Sequence, residues 1–352
     1  MWNKPNKHFA EYVVVTGAAG FVGSVMCTRL SEYGYNVIAL DNNVRGLNDN
    51  KVKVLPNVLF IEKDCSAGIG DILKQYSVTD VIHFAAATGD LTRSEEELNE
   101  INVGMTQRIV MDMCSHDPYI TLTFPTTSLS LAVPDSTYVK SKEAAIKWLV
   151  DESPLSEESR LLYRFFNNAG GYHGVGEFRN KEVHAFPRLF RSLMKEEKFI
   201  INGMDYDTVD GTPARDFIHV VDSVDFMIYR LNRASRYNTL LDSNGILCEV
   251  GRGDPKTVIQ CLDTLMSDSV KMRLLIPNVD NLLKTLKKNI VIGPRRDFDC
   301  GSLSPSPDAN IFKWRSLKSF EDVLVDSFNG FYQFYKNNPS YLDKIIPNPA
   351  KI

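Results

Sequence analysis

Tyr138 and Lys142 stand four residues apart in Tyr138-Val139-Lys140-Ser141-Lys142, which opens a helical stretch through Glu143, Ala144, Ala145 and Trp148. That spacing places a phenol and an ammonium on one helix face. A phenol titrates near about 10 and is a poor base at neutral pH. A neighbouring positive charge favours the phenolate, each unit of depression being worth about 1.4 kcal/mol. Upstream, Thr121 to Phe124 reads as a strand that runs into Pro125-Thr126-Thr127-Ser128. A hydroxyl at that strand end can hold a substrate oxygen while the phenol exchanges its proton. Such a tyrosine–lysine pair is common on helix surfaces, so its meaning depends on the elements around it.

Those elements begin with Tyr12-Val13-Val14-Val15-Thr16, an apolar, β-branched run entering Gly17-Ala18-Ala19-Gly20-Phe21-Val22-Gly23. The glycines are spaced G-x-x-G-x-x-G, and Ser24 to Tyr33 is compatible with helix. Strand, tight turn and helix start form a site for a dinucleotide pyrophosphate. Gly17 permits the turn, Gly20 the close approach and Gly23 the packing of helix on strand, while Phe21 and Val22 offer N–H groups at the helix start. A second strand, Asn36 to Leu40, ends in Asp41 with Asn42 beside it, about 20 residues on, where a carboxylate can accept from a ribose 2′-hydroxyl. No arginine follows until Arg45, which favours NAD over NADP; a plain turn aspartate before Asn42-Asn43 would read the same way. A third strand, Val58 to Ile61, ends near Asp64 and Cys65. A fourth, Asp80 to Phe84, runs into Ala85-Ala86-Ala87, small enough for a cofactor to lie over it. Strands alternating with helices predict an α/β fold: a doubly wound parallel sheet of Rossmann type, with a smaller C-terminal substrate-binding lobe.

The 352 residues suffice for two domains. Lys and Arg total 40 against 44 Asp and Glu, a formal net charge of −4, which gives no reason to expect nucleic acid or an anionic membrane as partner. Cys27, Cys65, Cys114, Cys248, Cys261 and Cys300 form no C-x-x-C pair, and the six histidines no H-x-x-x-H pair, so no metal is expected. The scattered cysteines suit a reducing compartment, and a cytoplasmic location is expected. Lys4 and Lys7 before an apolar run imitate a secretory signal, but Glu11, Thr16 and Gly17 interrupt that run. The proline-bearing tail from Asn337 is expected to be extended.

The glycine turn, the Thr/Ser strand end and the Tyr-x-x-x-Lys pair together resemble the extended short-chain dehydrogenase/reductase family. Leu161-Leu162-Tyr163-Arg164-Phe165-Phe166-Asn167-Asn168-Ala169-Gly170 is similar to that family's L-x-x-R-Y-F-N-x-x-G. Asp210-Gly211-Thr212-Pro213-Ala214-Arg215-Asp216-Phe217-Ile218-His219-Val220 resembles the D-G-T-x-x-R-D-Y-I-H-V of UDP-glucose 4-epimerases. Arg295-Arg296-Asp297-Phe298-Asp299 and then Asp308 resemble their R-R-x-G-D and A-D-x-S segments. The likeness covers nearly the whole chain.

The resemblance implies an NAD-dependent nucleotide-sugar 4-epimerase acting on UDP-glucose and UDP-galactose. Tyr138 would be the acid/base, Lys142 its partner and a cofactor ligand, and Thr127 the catalytic hydroxyl, with Thr126 and Ser128 as rivals. Asp64 would approach the adenine and Asn167 the sugar nucleotide. Arg215 and Arg296 would take the pyrophosphate and Asp299 the uridine ribose, and His184, in His184-Ala185-Phe186-Pro187, sits where the family often has Asn or His before a Leu-x-Pro and would bind the substrate. Leu303, where the family carries a residue bounding the sugar's C2 group, is smaller than tyrosine, which implies room for the N-acetylated pair. His83 and His219 are expected to be core histidines. The family departs at Thr88, where a lysine is usual, at Phe298, and in the short segment between Thr127 and Tyr138.

The expected division is a cofactor domain over 1–168, to which 216–231 returns, and a substrate lobe over 169–352. A homodimer is implied, with Ile101, Met105, Ile109 and Met113 at helical spacing on one of the helices that would pair, although the same stripe would serve an intrachain core. The rival activities are a reductase, a decarboxylase or a 4,6-dehydratase, and the rival of another class is a non-catalytic NAD-binding scaffold or sensor. A dehydratase would need acids after the catalytic threonine, where Ser128-Leu129 stands.

Overall fold

A computed structural model describes residues 11–44, 46–87, 93–178, 184–231, 247–295, 299–306 and 317–345. Two compact units divide the chain: 1–165 with 224–250 and 307–314, and 166–223 with 251–306 and 315–352.

The first unit alternates strand and helix: β1 (Glu11–Thr16), α1 (Phe21–Glu32), β2 (Asn36–Asp41), α2 (Asp49–Val52), β3 (Val58–Glu62), α3 (Gly70–Gln75), β4 (Ser77–His83), α4 (Glu95–Asn99), α5 (Met105–His116), β5 (Thr121–Thr127), α6 (Thr137–Asp151) and β6 (Arg160–Phe165). The sheet order is β3-β2-β1-β4-β5-β6 with Cys248–Val250 added beyond β6, and every pairing is parallel. The order reverses between β1 and β4, as a doubly wound sheet requires. Both faces of such a sheet are covered, which is why Val13 to Thr16 and Val37 to Leu40 are continuously buried rather than alternating. The first helix begins at Phe21, directly after the glycine turn, and β4 begins at Ser77, earlier than its apolar stretch suggested.

Ile109, Val110 and Met113 of α5 and Ala145, Ile146 and Leu149 of α6 share one core with Val81, Leu122 and Phe124 of the sheet. Met105 is buried there too, and Ile101 packs against it. Met105, Ile109 and Met113 of the stripe are thus buried in the intrachain core with Ile101 partly buried against it, and α5 exposes Met111.

Among its described residues the second unit carries three small sheets. β7 (Asn167–Ala169) pairs with β10 (Phe217–His219), β8 (Phe199–Asn202) with Ile290–Gly293, and β9 (Ala214–Arg215) lies between Lys256–Thr257 and Ser302–Leu303. Its core is aromatic: Phe186 stacks on Phe217 with ring centroids 4.5 Å apart, and Phe190 meets Phe328 edge-on at 5.1 Å. Among the described residues, no helix is long and apolar enough to cross a membrane.

Candidate active site

The glycine turn is built as its spacing predicts. Gly17 has φ +69°, and a Cβ there would lie 2.6 Å from the Ala85 nitrogen. A Cβ on Gly23 would sit 2.1 Å from the Gly17 oxygen, so helix and turn touch only because Gly23 has no side chain. Beyond its chain neighbours and among the described residues, Gly20 faces only that same oxygen, at 3.1 Å, which leaves space for a ligand. Gly20 is the N-cap of α1 and supplies no capping side chain, so the helix start at Phe21, Val22 and Gly23 keeps its outward N–H groups. Gly46, passed over in the sequence, closes the turn from outside: a Cβ there would meet the Ala19 oxygen at 2.2 Å.

Asp41 stands at the end of β2 and its carboxylate accepts from the Ala19 N–H at 2.9 Å and the Asn43 N–H at 2.8 Å. It thus fixes the glycine turn, and each oxygen keeps a lone pair for a hydroxyl. Burial raises its carboxyl above the ordinary value in spite of these donors. Asp64 accepts from the Ser66 N–H at 2.8 Å and the Asn42 amide at 3.4 Å, and these bonds hold it below the usual carboxylate range. The Cys65 thiol belongs to the core, where burial pushes it up to about 12, which leaves its main chain for any ligand.

Beside the turn, a buried chain of hydrogen bonds joins β1 to β4. The Ala85 N–H donates to Thr16 Oγ1 at 3.2 Å, and Thr16 Oγ1 meets His83 Nδ1 at 2.7 Å. His83 Nε2 meets Thr106 Oγ1 at 3.2 Å, and that hydroxyl donates to the Asn102 oxygen at 2.8 Å. Only one tautomer satisfies every group: Thr16 donates to Nδ1, and Nε2–H donates to Thr106. Burial, followed by the charge of Lys142, depresses His83 to about 3, so it remains a neutral core histidine.

Lys142 and Tyr138 lie one turn apart on α6. Lys142 is 4% exposed and its ammonium sits 4.0 Å from the centroid of the Phe124 ring. Burial lowers it to about 7, with Glu143 acting weakly the other way. Tyr138 is half-buried. Of the three hydroxyls at the end of β5, Thr126 is buried and directed to Glu143 at 3.5 Å, and Ser128 is buried. Thr127 is half-exposed, its oxygen accepting from the Leu129 N–H at 3.2 Å to cap the turn Ser128–Leu131.

In the second unit, Arg215 on β9 forms an ion pair with Asp299 and donates to the Cys300 oxygen at 3.1 Å. Leu303 is the strand partner of Arg215 and is buried. The Asn167 N–H donates to the Asp216 oxygen at 3.0 Å, next in sequence to Arg215. Arg215, Asp299, Leu303 and the main chain of Asn167 are thereby brought together. His184 precedes the helix Ala185–Lys195 and pairs with Glu177. Arg296 and Phe298 lie outside the described residues, as do Arg45, Thr88 and Asp308. Arg295 lies 4.1 Å from the centroid of the Tyr206 ring and reaches the Asp299 oxygen at 3.4 Å. His219 is a satisfied core histidine: the Val221 N–H donates to Nδ1 at 3.1 Å, and Nε2 faces Asp326 at 3.2 Å. Its neighbour Asp216 is wholly buried and accepts from the N–H groups of Arg252 at 2.7 Å, Gly253 at 2.5 Å and Asp254 at 3.1 Å.

The model of the NAD dependent epimerase/dehydratase family matches residues 13–239. The chain belongs to that family. UDP-glucose 4-epimerase of Corynebacterium glutamicum is 28% identical over 269 residues, covering 71% of this chain and 78% of that protein. The Rhizobium meliloti UDP-glucose 4-epimerase is 29% identical, covering 72% and 80%. The fold matches a Bifidobacterium longum UDP-glucose 4-epimerase solved with NAD+ and UDP, with a TM-score of 0.73 and 20% identity over 94% of this chain and 99% of that one. The family is named for its dependence on NAD.

Proposed function

We propose that this chain is an NAD-dependent 4-epimerase of a nucleotide-activated hexose, with UDP-glucose and UDP-galactose as its pair. The observation that carries the reading is the arrangement on β5 and α6. A half-exposed Thr127 ends the strand, and Tyr138 stands one turn before a buried lysine whose ammonium faces a ring rather than a carboxylate. The resemblance of the sequence and the relatives named above support the substrate.

The glycine turn, the start of α1 and Asp41 would hold NAD at its pyrophosphate and ribose, with Asp64 toward the adenine. When bound, NAD+ supplies a hydride acceptor. Tyr138 takes the proton of the sugar's C4 hydroxyl, and Thr127 steadies that oxygen by a hydrogen bond. The ammonium of Lys142 favours the phenolate. The same groups return the proton after the 4-keto sugar has presented its other face. That exchange requires the nucleotide to stay bound while the sugar turns, so binding energy belongs on the nucleotide, in the role proposed for Asn167, Arg215, Arg296 and Asp299, with His184 beside them.

We further infer a homodimer and a cytoplasmic location. The family resemblance supports the first, which a sedimentation mass near one 39.7 kDa chain would contradict. Six free cysteines support the second. The function is tested by giving the purified protein UDP-glucose and measuring UDP-galactose. Formation of a dehydrated or reduced sugar instead, or no turnover with NAD bound, overturns the reading.

A further inference from the structure

Two side chains of α5 reach across to the segment that follows Asp64. Asp64 caps the single turn Cys65–Ala67, its carboxylate accepting from the Ser66 N–H at 2.8 Å. Beyond that turn the chain passes through Gly68, whose φ is +93°, and the buried Ile69 into α3. The residue before α3 supplies no capping side chain. Asp112 provides the acceptor from α5 instead: one of its carboxylate oxygens takes the Ile69 N–H at 2.7 Å and the Gly70 N–H at 2.8 Å. A Cβ on Gly68 would overlap that carboxylate, so the close approach requires glycine there. One turn earlier on α5, Arg108 donates to the Ser66 main-chain oxygen and pairs with Glu100. Ser66 is therefore held from two directions, its N–H by Asp64 and its carbonyl by Arg108.

We propose that Arg108 and Asp112 form a bracket that fixes where Asp64 stands, and so sets how tightly and how selectively the adenine end of the cofactor is held. Both are positioning residues, acting through Asp64. An ionised carboxylate only accepts hydrogen bonds. Adenine joined to ribose has one N–H donor group, its 6-amino group, so Asp64 can recognise the base only there. A loop carboxylate gives such a bond cheaply only when the loop is already held, since ordering a free backbone costs about 1–2 kcal/mol per residue. Its local contacts do not hold it: the Ser66 bond moves with the loop, and the Asn42 bond is long at 3.4 Å. Arg108 and Asp112 instead tie the loop to a helix whose Ile109, Val110 and Met113 lie in the sheet core. The pair of Arg108 with Glu100 is largely exposed and contributes little, which leaves the Ser66 carbonyl as the contact that matters.

This inference rests on Asp64 facing the adenine, and the two fail differently. The measurement is calorimetric binding, to the full chain freed of cofactor, of NAD+ and of its hypoxanthine analogue, in which an oxygen replaces the 6-amino group. The wild type should prefer NAD+ at least about tenfold, because the analogue sets an acceptor against the carboxylate. Asp64→Asn should abolish that preference. Arg108→Met and Asp112→Ala should each raise Kd for NAD+ roughly 3- to 10-fold while the analogue stays within about twofold, so the preference shrinks. A variant that only loosened the fold would weaken both dinucleotides alike and keep their ratio. Arg108→Lys keeps a donor for the Ser66 oxygen and should recover most of the preference. Glu100→Gln spares that oxygen and should keep all of it. Arg108 is half-buried rather than enclosed, so Arg108→Met carries the test should Asp112→Ala not fold. The wild-type ratio retained in Arg108→Met, with Asp64→Asn having lost it, would overturn the bracket and leave the adenine reading standing. A wild-type ratio in Asp64→Asn would overturn that reading and the bracket with it.

Discussion

The candidate site residues of the two units carry their charge in opposite ways. In the first, Lys142 is buried over the Phe124 ring, its only anionic influence being the weak one of Glu143. In the second, Arg215 is paired with Asp299, and His184 with Glu177. A buried cation without a carboxylate is costly, and its position is dictated by the core around it. A paired cation on a partly open strand is cheap, and an incoming ligand must compete for it. The first arrangement suits a group whose charge must act on a fixed neighbour during chemistry. The second suits a group that grips a ligand and lets it go. If that contrast is right, variants in the first unit should change kcat, and variants in the second should change KM.

The largest effect is expected at Tyr138. Tyr138→Phe should keep NAD binding and lose about 10²-fold or more in kcat, the usual scale for removal of a general acid–base group. Full activity would erase the distinction between the units. Lys142→Met should lose a similar factor and shift the pH optimum upward. It should also make the NAD-free fold more stable. In the folded chain Lys142 titrates near about 7, below its ordinary 10.5, so the unfolded chain binds more protons between those values. The penalty of burying the ammonium is complete below pH 7 and fades as pH rises toward 10.5. Lys142→Met should therefore raise Tm at pH 6, by at most about 5 kcal/mol of stability, and by less at pH 9. A Tm that falls at pH 6 would show that the ring and Glu143 already offset the burial.

Next comes the glycine turn. Gly23→Ala forces a methyl to within 2.1 Å of the Gly17 oxygen, so α1 must shift from β1. NAD affinity measured by calorimetry should fall at least tenfold, since the outward N–H groups move with the helix. Unchanged affinity would mean that the turn does not carry the pyrophosphate.

That turn was legible in the sequence because its causes are local: a β-branched strand, three glycines and a helix within one short run. The parallel, doubly wound character of the sheet followed from the alternation of strands and helices. Tyr138 and Lys142 were legible because helical spacing alone puts them on one face. What escaped was held by contacts distant in sequence. Cys248–Val250, the last strand of the sheet, is too short to show a period. The second bond of Asp41, to Ala19, depends on how the turn folds back on β2. The stripe on α5 was readable as apolar but not as inward or outward, because periodicity fixes a face and not its partner. Asn102 gave no signal at all: a lone asparagine in a helical stretch reads as surface, yet it is buried, its amide oxygen accepting from the Ala87 N–H and its amide nitrogen donating to the Ser141 hydroxyl.

In the second unit, Arg215→Met should raise KM for the UDP-sugar about 10- to 100-fold, as expected for losing charge-assisted hydrogen bonds, with kcat little changed. The opposite split, a fall in kcat at constant KM, would place Arg215 with the chemistry and break the comparison drawn above.

The smallest effect concerns which sugars are accepted. Leu303 is buried beside Arg215 on a two-residue strand, with Ser302 exposed before it. Leucine is shorter than tyrosine, and Gly301 and Ser302 are smaller still, so a slip in the alignment of one or two residues leaves the inference unchanged. Exchanging a hydroxyl for an acetamido group adds several heavy atoms, and forcing them into a tight site costs about 1–3 kcal/mol. Without that clash the two sugar pairs should be used within roughly tenfold of each other in kcat/KM. Leu303→Tyr should depress the N-acetylated pair selectively. Because Leu303 is enclosed, the larger ring will also strain its surroundings, so a fall in Tm by itself carries no information about specificity. The ratio of kcat/KM for the two pairs does, since strain common to both substrates cancels from it. A ratio unchanged in Leu303→Tyr would show that the sugar's C2 group lies against some other residue.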